Sequence, residues 1–361
     1  MRRILRSTAI TATAGIFAFA INQQADETTA QAARPTAATA PATTITSAPP
    51  SPSPTAVEHG ATPDPLHPVP PADGRDAPDP FVLRDGDHWA LYSTQAGFLN
   101  VPVAVSTDLA TWSAPADALP ELPIWAEWGS TWAPGVLSRV GGFVLYFVAR
   151  SQTLGLQCIG VATATSATGP FTSPGADPLV CQTRLGGSID PYPFVDRDGT
   201  AYLLWKSDEN ALGRRSHLYG QRLQPDGLAL DGDPVVLLAN DARWENPLIE
   251  NPALLALADT YVLFYSGGWW ESGGYGTGYA TCTTPLGPCA KVTTQHPVLR
   301  SEGSESGTGG ACVITGPAGD HWLAYHAWTT GAIGYGNAGL RSLRFVEIGW
   351  ERDSLTVTRS T

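Results

Sequence analysis

The 361-residue chain predicts an all-β fold from three observations. A short phrase recurs five times, 38 Gly and 31 Pro supply turns between strands that 12 Trp and 11 Tyr suit, and no long 3.6-residue apolar period is present. In each copy a proline or its equivalent opens an apolar run, and an aromatic-rich strand follows about nine or ten residues later. The copies start roughly 55 to 60 residues apart, the period of a four-stranded blade with its loops rather than of a helical solenoid. Five such copies count out a five-bladed β-propeller over residues 71–361.

Residues 1–32 have the layout of a secretory signal peptide. Arg2, Arg3 and Arg6 precede an apolar stretch from Thr8 to Ile21, and Ala30-Gln31-Ala32 offers small residues for cleavage after Ala32. An uncleaved membrane anchor is the alternative; the shortness of the apolar stretch favours export, release and no stable membrane insertion. Residues 33–70 are dominated by Pro, Thr, Ala and Ser, too poor in large apolar groups to offset the entropy of ordering, and are expected to form a disordered linker. Blade one then opens at Asp79-Pro80-Phe81 and continues at Trp89-Ala-Leu-Tyr92; blade two runs from Ala133-Pro134-Gly135 to Phe143-Val-Leu-Tyr146. Blade three runs from Asp190-Pro191-Tyr192 to Tyr202-Leu-Leu-Trp205, and blade four from Asn251-Pro252-Ala253 to Tyr261-Val-Leu-Phe264. Blade five runs from Ala311-Cys312-Val313 to Trp322-Leu-Ala-Tyr325. Asp85-Gly-Asp87 and Asp196-Arg-Asp198 fall between strands and read as solvated hairpin turns.

A formal net charge of -12 argues against nucleic acid as a partner, because phosphate binding needs a basic groove. Five cysteines in an exported chain suggest disulfides: Cys282 and Cys289 bracket a tight turn, Cys158 and Cys181 sit at either end of the outer strands of blade two, and Cys312 is left as a buried thiol.

In a propeller the residue just before each innermost strand faces one mouth of the axial channel. Asp79, Ala133, Asp190, Glu250 and Gly310 hold those positions here. Three acids in a partly desolvated funnel repel one another, so at least one is expected to keep its proton near neutral pH. Two or three carboxylates without a metal-ligand cluster suit glycosidic bond hydrolysis, in which one protonates the leaving oxygen while another activates water or attacks directly. Glu245 repeats the Glu-Asn-Pro context of Glu250, but Pro252 keeps the blade-one spacing to Tyr261, so Glu250 is preferred and Glu245 is read as a loop carboxylate near the rim. Asp76 reads as the capping residue of the turn that carries Asp79. Trp132 and Trp269 are the aromatics chosen as walls for sugar, the other Trp residues being assigned mainly to inter-blade packing.

The segments Asp76-Ala-Pro-Asp79-Pro80-Phe81-Val82, Trp132-Ala-Pro134, Ser188-Ile-Asp190-Pro191, Glu250-Asn-Pro252-Ala-Leu254 and Ala324-Tyr-His326-Ala-Trp328 together resemble glycoside hydrolase family 43 across the whole propeller. The resemblance implies an inverting hydrolase with Asp79 as general base, Glu250 as general acid and Asp190 tuning and orienting the acid. It also implies Arg341 reaching the site and His326 facing the channel as a substrate-binding residue. The implied substrate is a plant cell-wall oligo- or polysaccharide, and the first expectation is a monomeric, secreted α-L-arabinofuranosidase acting on arabinan or arabinoxylan. β-Xylosidase, endo-arabinanase and a non-catalytic carbohydrate-binding propeller are the alternatives. Gly135 and Gly310 stand where the family carries an Asp and a His beside an axial calcium ion, so no cofactor or metal is expected and calcium is disfavoured.

Overall fold

A computed structural model describes residue 68 and residues 74–359. The expected signal peptide and nearly all of the expected linker lie outside these residues. Five antiparallel sheets, each made of strands consecutive in the chain, form the five blades. Blade one is β1 (Phe81–Asp85), β2 (His88–Tyr92), β3 (Pro102–Ser106) and β4 (Ala116–Asp117). Blade two is β5 (Trp132–Arg139), β6 (Gly142–Arg150) and β7 (Gln157–Ala164); blade three is β8 (Ser188–Val195), β9 (Ala201–Ser207), β10 (His217–Leu223) and β11 (Leu230–Ala239). Blade four is β12 (Ile249–Ala256), β13 (Tyr261–Gly267), β14 (Gly276–Cys282) and β15 (Cys289–Lys291). Blade five is β16 (Glu305–Thr315), β17 (His321–Thr329), β18 (Arg341–Glu351) and β19 (Ser354–Thr358).

Blade two has three named strands instead of four. Its outer edge is closed by single bridges, Thr163 to Thr172 and Ile159 to Val180, across a segment that contains Pro170, Pro174 and Pro178. Proline has no N–H to give a ladder, so this segment cannot pair continuously.

The core lies between blades. One apolar cluster joins Leu137, Val144 and Tyr146 of blade two to Leu203, Trp205 and Tyr219 of blade three, and the next joins Phe194, Leu204 and Leu218 to Leu254, Leu263 and Tyr265 of blade four. Because each middle strand is covered on both faces, the usual in-out alternation disappears, and every residue of β13 is buried. Disulfides join Cys158 to Cys181 and Cys282 to Cys289, while Cys312 is a free, buried thiol whose pKa is pushed up to about 12 by burial.

The innermost strands β1, β5, β8, β12 and β16 surround a narrow axial space of about 20 Å3, room for about one water and not for a sugar ring. Each carries the same kink at the same level. Asp79, Ala133, Asp190, Asn251 and Gly310 have φ of 51, 37, 56, 49 and 62°, and in blades two to five the strand register slips around them, as at a β-bulge. The sequence reading placed the mouth residues just before each innermost strand; that holds for Asp79 alone. In the other blades pairing continues on the far side of the kink, with Trp132 opposite Val148, Ile189 opposite Lys206, Glu250 opposite Ser266 and Gly309 opposite His326. The true counterpart of Asp79 in blade four is Asn251, so Glu250 reaches the mouth from one residue earlier.

Asp196 is another correction. It is no free turn residue, because both its carboxylate oxygens accept from the Tyr261 hydroxyl, at 2.9 and 2.8 Å, tying blade three to blade four.

Candidate active site

A left-handed residue other than glycine costs about 1–2 kcal/mol, and such strain gathers where a fold must aim a side chain. Here the kinks turn Asp79 and Asp190 toward the mouth, and the longer Glu250 joins them from blade four. Asp190 and Glu250 are each 8% exposed, so all three acids stand in a largely desolvated place where charge neighbours decide who keeps a proton.

Asp79 is held as an anion. Burial pushes its carboxyl up, yet Arg341 and hydrogen bonds from Thr94 and Asn251 outweigh that, and the net direction is down from the ordinary value. Thr94 Oγ1 donates to Asp79 Oδ2 at 2.7 Å, and Arg341 donates to the same oxygen at 3.4 Å. The Asp79 backbone N–H donates to His326 Nδ1 at 3.0 Å, which leaves that nitrogen unprotonated. Burial lowers the His326 pKa to about 3, so His326 is neutral and Arg341 is the cation that counts. Arg341 is itself fixed: its Nε donates to the Tyr335 hydroxyl at 3.2 Å, and its guanidinium lies 4.7 Å from the Trp270 ring centroid. Asp76 is not a local turn cap: it accepts from blade five, from the Arg341 backbone N–H at 2.7 Å and the Tyr335 hydroxyl at 3.1 Å.

Asp190 has the opposite environment. Burial first, then the charge of Glu250, drives its pKa well above the ordinary carboxylate range, against the opposing pull of Lys206. Its Oδ2 accepts one backbone N–H, from Asn251 at 3.0 Å. Glu250 has donors at both oxygens: the Tyr275 hydroxyl at 2.9 Å on Oε1 and Lys206 Nζ at 3.2 Å on Oε2. Lys206 is 1% exposed, and although burial works against its charge, Glu250, Asp190 and Asp208 together raise its pKa. Tyr275 stacks on His326, ring centroids 5.9 Å apart and planes 8° off parallel, which links the Glu250 side of the site to the Asp79 side.

Asp79, Asp190, Glu250 and Arg341 thus converge. Trp132 and Trp269, 38% and 45% exposed, stand free enough to meet a ligand. His326 is 0% exposed beneath Asp79, so the group it reaches is that carboxylate's backbone and not a bound sugar. Glu245 is no rim carboxylate: it is fully buried, 2.7 Å from Lys291 Nζ and 2.8 Å from the Tyr265 hydroxyl. Arg344 turns away to Glu305 at 3.1 Å. The sequence reading missed Thr94, Lys206 and Tyr275. Of these Lys206 left a signal, a lone lysine inside the apolar run Tyr202-Leu-Leu-Trp-Lys206, since a lysine buried in a central strand must be paired.

At the two positions on which the calcium expectation turned, the glycines have no room for a larger side chain. A Cβ at Gly135 would lie 2.6 Å from Pro193 Cδ, and one at Gly310 would lie 2.5 Å from His326 Nδ1, so neither position can carry a ligating side chain. No group of three or more His, Cys, Asp or Glu side chains is arranged for a metal among the described residues.

Five radial sheets that bring three acids to one end of a plugged axis define a propeller of the carbohydrate-active kind. The family model Glycosyl hydrolases family 43 matches residues 70–355, and the chain belongs to that family. It is similar to a putative beta-xylosidase of Xylanibacter ruminicola, 25% identical over 76% of this chain and 48% of that protein. It is also similar to xylosidase/arabinosidase 43A of Humicola insolens, 26% identical over 63% of this chain and 74% of that one. The chain therefore spans about half the length of the first relative and about three quarters of the second. Among solved structures, a thermostable family-43 glycoside hydrolase superposes with a TM-score of 0.70 at 29% identity, covering 80% of this chain and 94% of that one.

Proposed function

We propose that the chain is a secreted, monomeric, inverting glycoside hydrolase that removes α-L-arabinofuranosyl units from arabinan or arabinoxylan. The observation that carries this reading is the division of labour among three neighbouring carboxylates: Asp79 held ionised by Arg341, Asp190 pushed toward its protonated form, and Glu250 between two donors. Glycosidic hydrolysis needs such an asymmetry. Asp79 takes a proton from the water that attacks the anomeric carbon. Glu250, in its protonated form, gives a proton to the departing oxygen from the opposite side of the sugar. Asp190, pushed toward its protonated form, adds little negative charge beside Glu250, and Lys206 and Tyr275 hold the Glu250 carboxyl in place. Once the proton has left, the same two donors stabilise the Glu250 carboxylate.

Residues 1–32 direct export in this reading, 33–70 form a linker and 71–361 the catalytic domain. Two disulfides suit an oxidising compartment, and among the described residues no helix is long and apolar enough to cross a membrane. The name of one relative, a xylosidase/arabinosidase, supports an arabinose- or xylose-containing substrate, and that of the other, a putative beta-xylosidase, a xylose-containing one. The same carboxylate chemistry serves a β-xylosidase, the second reading that those names favour.

A panel of nitrophenyl glycosides, with the anomer of the released sugar followed by NMR, tests enzyme, sugar and stereochemistry together. The expected result is fastest release from the α-L-arabinofuranoside with inversion. On arabino-oligosaccharides, whose leaving groups need protonation, Glu250→Ala and Asp79→Ala are each expected to lower kcat by about 10²- to 10⁴-fold while ligand binding persists. Binding without release by the wild-type protein would make the chain a lectin, and wild-type turnover by either variant would overturn the roles.

A further inference from the structure

The turn after β9 and the stretch before β12 leave their blades at the catalytic end: Ser207 pairs with Ser188, two residues from Asp190, and Ile249 adjoins Glu250. Between these two segments lies a cleft of about 440 Å3, within the range of ligand pockets. Arg214, Arg215 and Arg243 line it. None of the three forms an ion pair with an acid among the described residues. The acid in its wall, Asp241, lies 2.7 Å from Lys291 Nζ and so is already paired. A second observation concerns Asn240 in the same wall. It is 7% exposed and donates through Nδ2 to the Pro247 carbonyl at 3.1 Å, but its Oδ1 has no partner among the described residues. That oxygen is enclosed by the wall, so the charged side chains and not Asn240 carry the recognition. The cleft is also tied to the site, because Ser216 Oγ accepts from the Ile249 N–H at 2.9 Å and donates to the Ile249 carbonyl at 3.0 Å.

Three guanidinium groups with no acidic partner among the described residues, Arg214 donating instead to the Arg184 carbonyl at 2.6 Å, are unexpected in a chain of net charge -12 acting on a neutral sugar. Neutral hydroxyls do not need them; a carboxylate does, since the planar guanidinium matches it with two parallel hydrogen bonds. The overall negative charge repels a polyanion but tolerates a mostly neutral chain that carries an isolated acid. We propose that this cleft binds the carboxylate of a uronic acid substituent on the glycan, away from the bond that is cleaved. The proposal rests on the carbohydrate reading of the neighbouring site and adds a specificity to it.

The test is calorimetric titration of the full chain carrying Glu250→Gln with a singly glucuronate-substituted xylo-oligosaccharide, its carboxyl-reduced neutral counterpart, and an oligogalacturonide. The singly charged sugar is expected to bind roughly three- to tenfold more tightly than the neutral one. That advantage is expected to vanish in about 0.5 M salt, and also in an Arg215→Ala/Arg243→Ala double variant whose thermal unfolding is unchanged. Equal affinities, a preference that survives the double variant, or tightest binding of the oligogalacturonide would each overturn the proposal. Failure of the catalytic reading shows separately, as a wild-type protein that releases no sugar from neutral substrates while the calorimetric preference persists.

Discussion

Asp79 and Asp190 share a backbone conformation and differ in charge state, and the difference is made by what faces each of them. Arg341 is the decisive neighbour of Asp79. Its replacement by methionine is expected to raise the Asp79 pKa, so the acidic limb of the kcat/KM profile should move to higher pH; an unmoved limb would show that Asp79 is not the base. For stability the two acids act with opposite sign. Asp79, lowered in the fold, stabilises above its unfolded value and loses that contribution as pH falls through its folded pKa. Asp190, raised in the fold, is destabilising once pH climbs past its unfolded value of about 3.9. Asp190→Asn, which keeps an acceptor for the Asn251 N–H, is therefore expected to raise Tm by a few degrees near pH 7 and by little near pH 3.5, read by thermal melts at both. The acids themselves were legible because an acid directly before a proline, or one residue earlier at Glu250, recurs at the blade starts. Lys206 and Tyr275 were not, since a side chain's partner across two blades leaves no local pattern.

The element that matters most is the kink in each innermost strand. It was legible only as a repeated X-Pro step, which disfavours the right-handed helical region for X and says nothing of a left-handed residue within continued pairing. In blade two the kink carries Ala133, φ 37°, with no acid to aim. Ala133→Gly should relieve left-handed strain and, after the entropy that glycine adds to the unfolded chain, leave a net gain of up to about 1 kcal/mol in denaturant unfolding. Gly310 is the opposite case. A Cβ there meets His326 Nδ1 at 2.5 Å and Asp79 Oδ1 at 3.0 Å, so Gly310→Ala should both destabilise the fold and lower kcat by displacing Asp79; an active, stable variant would show that the His326 seat is dispensable.

At the scale of the whole molecule, no sheet among the described residues mixes named strands from the two ends of the propeller, and the ring is closed there by contacts between blades five and one. These include the Asp76 to Ser342 bridge, the Ala77 N–H to the Arg341 carbonyl at 2.9 Å, and the Arg341 N–H to Asp76 Oδ1 at 2.7 Å. The closing contact is the one that sets Arg341 against Asp79. Asp76→Ala is accordingly expected to cost about 1.5–3 kcal/mol of stability and to lower kcat/KM together with it, measured by urea unfolding and steady-state kinetics. Loss of neither would mean that the ring closes by packing alone. The amino-acid sequence by itself determined the blade count, the two inner strands of each blade, the two disulfide pairings and the identity of the three acids, because period, turn residues and composition are local properties read along one chain. Only the tertiary structure decided that Asn251 and not Glu250 occupies the fourth kink, that His326 and Glu245 are buried supports, that Lys206 and Tyr275 hold Glu250, and that three arginines share a cleft. Each of these depends on groups far apart in the chain meeting at close range with little water between them, where burial and a few ångströms set charge and partner.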